Sequence, residues 1–199
     1  MKIGGDFAAA EWPALRARLE AGEPQAWQRA VEILRARFVG RYLGHAAKLL
    51  DRKYSGFAVI AIDCAVVEAL EQFRRGVEET PRRKGKEFFQ AFLTETRLGS
   101  HFTKDTAGLF YDTIRCGILH QAETKADSLV KKKPGTFVLE QSSSGKGLVI
   151  NARRFHRELE AAFGDYVAAL LSGDPKVRAS FITKMKYVAR EQTGVAGVA

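Results

Sequence analysis

The chain has 199 residues, a formal net charge of +9 and 46% hydrophobic residues, 13 of them Phe, with an isoelectric point of about 9.7. That apolar content marks a folded globular protein and not a chain disordered throughout. The absence of any apolar run of about 18 residues excludes a membrane-spanning helix, and MKIGGDFAAAEW lacks the apolar stretch of a signal peptide.

The length suits one domain, placed at residues 1–192, followed by a tail TGVAGVA whose residues 193–199 are expected to be disordered. The positive charge favours acidic partners, nucleic acid ahead of a membrane surface, although it also serves solubility alone. Cys64 and Cys116 are the only cysteines and both fall in predicted helices. Reduced thiols in a cytoplasmic protein fit best. No closely spaced His and Cys cluster predicts a metal, and no cofactor is expected.

In chain order, residues 8–20 predict a short helix with Trp12 and Leu15 inward and Pro13 in its first turn. A second helix opens at Glu23-Pro24 and runs to Leu50, with Trp27, Val31, Leu34, Phe38, Tyr42 and Ala46 on its apolar face. His45 lacks acidic or cysteine companions and reads as structural or exposed. The third helix, 56–76, ends at a capping Gly76 and buries Val59, Ile60, Val66, Val67 and Leu70. Asp63 stands amid that face and needs a cation or backbone donors, because burying it alone costs several kcal/mol. It caps another helix or holds Arg115; Glu68, on a side shared with Cys64 and Glu71, is the alternate carboxylate.

A charged loop, EETPRRKGK, carries Arg82, Arg83, Lys84 and Lys86, a patch suited to phosphates or simply to solvent. A helix over 87–98 follows. Segments 128–133, 136–140 and 147–150 predict a small β-hairpin region, about 128–150, with Lys131, Lys132 and Lys133 exposed on it. Asn151 caps a helix to Ser172 with Phe155, Leu159, Phe163, Val167 and Leu170 inward and Arg153, Arg154, Arg157 and His156 outward. Asp174-Pro175 opens a last, basic helix.

The most informative stretch is 105–125, DTAGLFYDTIRCGILHQAETK, predicted as one helix with Asp105 as N-cap and Phe110, Ile114, Ile118 and Ala122 as its stripe. At about 100° per residue, Arg115 and His120 flank that stripe on opposite sides. In a straight helix their heads do not face each other, and they would more easily meet those of a second copy packed around a two-fold axis. Gly117 lies between them and could bend the helix. The bland alternative pairs Arg115 with Asp112 three residues earlier.

The D-C-x-x-x-E of Asp63, Cys64 and Glu68, the FYDTIRCGILHQAETK segment and the GLVINARRF after the hairpin together resemble a bacterial HEPN-domain protein over roughly residues 56–170. The resemblance implies a mainly α, HEPN-like helical bundle with the small β-hairpin inserted after the motif helix. It implies a homodimer through the 105–125 helix, and in many members metal-independent endoribonuclease cleavage in antiviral defence, stress or as a toxin. Its motif residues fall on Arg115 and His120, as phosphate stabiliser and general acid/base. Asp63 or Glu68 would hold the arginine. Arg82, Arg83, Lys84, Lys86, Lys131, Lys132 and Lys133 would grip the RNA backbone. The chain departs from the family in two places: Cys116 follows the arginine where many active members have a polar residue, and Ala122 replaces a tyrosine found in one toxin branch. The rival expectation is a HEPN-like module that binds RNA, a nucleotide or a protein and cleaves nothing.

Overall fold

The segment GFAVIAIDCAVVEALEQFRR is apolar on nearly every side, and a helix of that kind must be surrounded. In the computed structural model, which describes residues 1–132 and 135–190, it forms α4, Gly56–Arg75, with Gly76 in the left-handed conformation at its end. Around it pack α2 (Pro24–Phe38), α3 (Gly44–Leu49), α5 (Gly85–Glu95), α8 (Ala152–Ser172) and α9 (Pro175–Val188). The remaining helices are α1 (Trp12–Glu20), α6 (Lys104–Phe110) and α7 (Cys116–Gln121). The architecture is thus mainly α, with small sheets. Among the described residues no helix is long and apolar enough to cross a membrane.

Aromatic residues tie the helices together. Trp12, Trp27 and Phe73 all pack on Phe181 with centroids 5.9 to 6.5 Å apart, joining α1, α2, α4 and α9. Phe110 stacks on Phe155 at 5.2 Å, joining α6 to α8. Such pairs add about 0.5–1.5 kcal/mol each beyond area burial. Several predicted ends hold: Asn151 accepts the Arg154 amide at the start of α8, and Asp174 accepts those of Lys176 and Val177 at the start of α9.

Elsewhere the local pattern misled. The second predicted helix is interrupted by a π turn, Val39–Leu43, before α3. Its extra residue per turn carries Tyr42 outward, 38% exposed, and puts Leu43 in the core in its place. Gly44 makes the turn possible, since a Cβ there would lie 2.9 Å from the Val39 carbonyl oxygen. The predicted 105–125 helix is also not one rod. Thr103, not Asp105, caps α6, a π turn spans Tyr111–Arg115, and α7 ends at Ala122 in the left-handed conformation. The chain then folds back, and the Lys125 amide donates to the Thr113 carbonyl at 2.8 Å. Gly117 does not bend the helix. It leaves room for that return, because a Cβ would stand 2.3 Å from the Glu123 carbonyl oxygen.

The predicted hairpin is a three-stranded mixed sheet. β5 (Leu148–Asn151) is central, antiparallel to β4 (Leu139–Gln141) and parallel to β3 (Leu129–Lys131). β3 comes between α7 and β4 in sequence yet pairs with β5, so a hairpin alone does not describe it. A second small pair, β1 (Lys2–Gly4) and β2 (Phe7–Ala8), was not legible in the composition of the N-terminus. Lys133 and the tail 193–199 lie outside the described residues.

Two glycine replacements separate these roles. Gly164, in mid α8, has nothing within 4 Å of where a Cβ would stand, so Gly164→Ala is expected to stabilise the protein by about 0.5–1 kcal/mol. Gly117→Ala is expected to destabilise it by about 1–3 kcal/mol through overpacking. Urea unfolding with an unchanged m-value checks both.

Candidate functional site

Arg115 closes the π turn and His120 lies in the last turn of α7, and the two meet within one chain: Arg115 Nη1 is 3.4 Å from His120 Nε2. The expectation that in a straight helix the two heads would not face each other is therefore corrected. Helical side chains lean toward the N-terminus, so the imidazole leans back over the preceding turn, and the long guanidinium arm covers the remaining angle. Convergence of this pair requires no second copy.

The other side of the guanidinium is held by the protein. Nη2 donates to Glu68 Oε2 at 3.1 Å from α4, a partly buried pair with side chains 17% and 25% exposed. The guanidinium carbon lies 5.2 Å from the centre of the Tyr111 ring and 5.8 Å from that of Phe89, within cation–π range. Burial alone would pull Arg115 downward, but the Glu68 hydrogen bond and its other neighbours outweigh it and the net direction is upward. The guanidinium stays charged. His120 is exposed.

Asp63 does not hold Arg115. It is fully buried, and its Oδ1 lies 2.9 Å from Nδ1 of His156 on α8, which is 1% exposed. His156, expected outward among Arg153, Arg154 and Arg157, is inward because residues 156, 159, 163, 166 and 170 form a second apolar row beside the one seen first. That spacing was available in the sequence. Burial pushes the Asp63 carboxyl up. Burial pulls His156 down, but the hydrogen bond and charge of Asp63, with Glu160 3.5 Å from Nε2, carry it up overall. Both directions favour a pair that retains its proton. Asp112, the bland partner for Arg115, instead binds Lys86 at 2.5 Å.

The predicted phosphate grip is divided. Arg82 and Arg83 are exposed, Lys84 pairs with Glu87 at 2.7 Å and Lys86 with Asp112. The Lys86 bond seats this loop beside the motif segment, and a Cβ on Gly85 would stand 2.5 Å from the Tyr111 hydroxyl. Lys131 is exposed. Lys132 is a structural residue: its ammonium donates to the carbonyls of Leu50 and Arg52 and to Ser55 Oγ, closing the corner between α3 and α4. The lysine tip was needed there because those carbonyls end a helix. Lys133 lies outside the described residues.

Residues the sequence reading left out are Tyr111 and Phe89, which frame the guanidinium; an aromatic four positions before an arginine was the signal for the first. Both cysteines are free; Cys64 is buried and Cys116 half-buried, and burial pushes the Cys64 thiol well above its usual range. Among the described residues no three His, Cys, Asp or Glu side chains gather so as to hold a metal ion. The chain matches no protein-family model, no curated protein and no solved structure.

The two carboxylates of α4 should behave differently when removed. Asp63→Ala strands His156 in the core and is expected to cost about 3 kcal/mol. Glu68→Ala, at a partly exposed pair, is expected to cost less than about 1 kcal/mol; chemical denaturation distinguishes them. The raised His156 contributes stability that is fully present below its unfolded value, about 6.5. That stability is lost as pH rises through the higher folded value. Thermal melts from pH 6 to pH 9 should therefore show wild type losing stability relative to its pH 6 value more steeply than His156→Gln does.

Proposed function

We propose that the protein is a metal-independent endoribonuclease of the HEPN type, with His120 as general acid/base and Arg115 as stabiliser of the phosphate in the transition state. The observation that carries this reading is the 3.4 Å approach of Arg115 Nη1 to the exposed His120 Nε2, with Glu68 holding the guanidinium from behind. RNA brings its own nucleophile. A neutral imidazole takes the 2′-hydroxyl proton as that oxygen attacks the adjacent phosphorus, and the guanidinium donates to the phosphorane oxygens as charge builds on them. The imidazolium then gives its proton to the departing 5′ oxygen. The products are a 2′,3′-cyclic phosphate and a 5′-hydroxyl.

Glu68 is the positioning carboxylate, in place of Asp63. Arg82 and Arg83, with the loop seated beside the motif segment by Lys86 and Asp112, supply backbone contacts that weaken with salt. Tyr111 and Phe89 keep the guanidinium in one plane. A two-copy assembly through residues 105–125, and a role in defence, stress or as a toxin, belong to the same reading by family resemblance. Leu119, 44% exposed beside His120, is the apolar side chain that such an assembly would cover.

A second reading is favoured by the engagement of Arg115 itself. A guanidinium already matched by Glu68 and framed by two rings is a competent structural ion pair, and the protein is then an RNA-, nucleotide- or protein-binding module without catalysis. Incubation with single-stranded RNA in EDTA decides between them. Nuclease activity predicts cleavage by wild type ending in a cyclic phosphate, a loss of about 10²–10⁴-fold in His120→Ala and of about 10²–10³-fold in Arg115→Ala, both variants remaining folded. Binding without cleavage in all three proteins leaves the module.

A further inference from the structure

A second concentration of cations lies outside the Arg115 region and most of it falls before residue 56 or after residue 170. Between β1, the end of α2 with the π turn after it, and the end of α9 there is a cleft of about 360 Å³, lined by Lys2, Arg37, Arg41, Lys184, Tyr187 and Arg190 among others. No carboxylate lines it among the described residues. The arginines are held by main-chain carbonyls instead of acids: Arg37 Nη1 donates to Ile3 O at 3.0 Å and Arg41 Nη2 to Lys2 O at 3.1 Å. Each fork thereby keeps a fixed orientation and retains N–H groups for another acceptor.

Lys184 forms part of the lining and is only 5% exposed. Its ammonium donates to Gln72 Oε1 at 2.8 Å and to the Glu78 carbonyl, and it lies 4.8 Å from the centre of the Tyr187 ring. Two N–H groups are engaged by those oxygens, and a third remains. Burial and the charge of Arg37 push Lys184 down to about 8, and burial with the charge of Arg41 pushes Arg37 down. The cations thus destabilise one another's charged forms. The acids of the neighbourhood do not relieve them from within: Asp6 pairs with Lys2 on the solvent side at 2.6 Å, Glu79 accepts from the Tyr187 hydroxyl, and Glu78 and Glu79 act on Lys184 from outside the lining.

We propose that this cleft is a binding site for the phosphate group of a small molecule, a phosphomonoester or pyrophosphate moiety, gripped by Arg37, Arg41 and Lys184. Planar guanidinium forks and an ammonium are the donors that match a compact oxyanion with several acceptor oxygens. The volume is at the lower end of small-molecule sites. A passing nucleic-acid strand is contacted through an exposed track, whereas here the ammonium is buried and only a terminal group reaches it. The proposal is independent of the nuclease reading.

The test is calorimetric titration of the full chain with sodium pyrophosphate at constant ionic strength. The expected result is one saturable site on wild type, weakened about tenfold or more in Arg41→Gln and in Arg37→Gln, with Arg82→Gln/Arg83→Gln unchanged. Arg41 is exposed, so its variant keeps the fold even if Arg37→Gln does not, which circular dichroism verifies. Three results overturn the proposal: no heat beyond a chloride control, equal weakening by the Arg82/Arg83 variant, or full displacement of pyrophosphate by an RNA oligomer lacking terminal phosphates.

Discussion

A helix enclosed on most of its sides can bury carboxylates only if each finds a cation, and that constraint on α4 organises the molecule. Asp63 is matched by His156 of α8, Glu68 by Arg115 at the end of the π turn, and the buried Glu71 by Arg74 and Arg75 of its own helix at 2.5 and 2.7 Å. An uncompensated carboxylate at any of the buried positions would cost several kcal/mol, comparable to a large part of a domain's net stability. Two of these pairs are therefore also fasteners. They set how α8 and the 111–115 turn dock on α4.

The pairing explains why the arginine is so well placed beside the histidine. Glu68 fixes one side of the guanidinium and the rings of Tyr111 and Phe89 limit its tilt, leaving Nη1 on the side of His120. The π turn that ends at Arg115 is itself a costly local structure of the kind often retained where a side chain must be aimed. Gly117 and the left-handed Ala122 then return the chain, so His120 stands at the edge of a short helix and not in the middle of a long one. The imidazole at that edge is exposed to solvent.

Positive charge is divided by structure into unlike populations. Lys132, Lys86 and Lys84 are engaged by carbonyls or acids, Arg82, Arg83 and Lys131 face solvent, and Arg37, Arg41 and Lys184 crowd a cleft with no acid in its lining among the described residues. A net charge of +9 describes the sum and hides this division. Runs such as RRKGK and KKK attract notice in a sequence, yet the most crowded cations come from three separate segments.

Periodicity and capping residues in the sequence determined the helical class, the starts of α8 and α9 at Asn151 and Asp174, and the end of α4 at Gly76. Those features are local: caps, turn residues and apolar rows act within a few residues. The partner of each carboxylate was not legible, because Asp63 and His156 are 93 positions apart and Glu68 and Arg115 are 47 apart. Many cations in the chain could have served equally. Nor were the π turns legible, since an added residue leaves no compositional mark and is accepted only when, as with Leu43 for Tyr42, the next side chain fills the core better. Tertiary packing decided these matters, because the cost of an unmatched charge or an empty space is incurred only once distant segments enclose it.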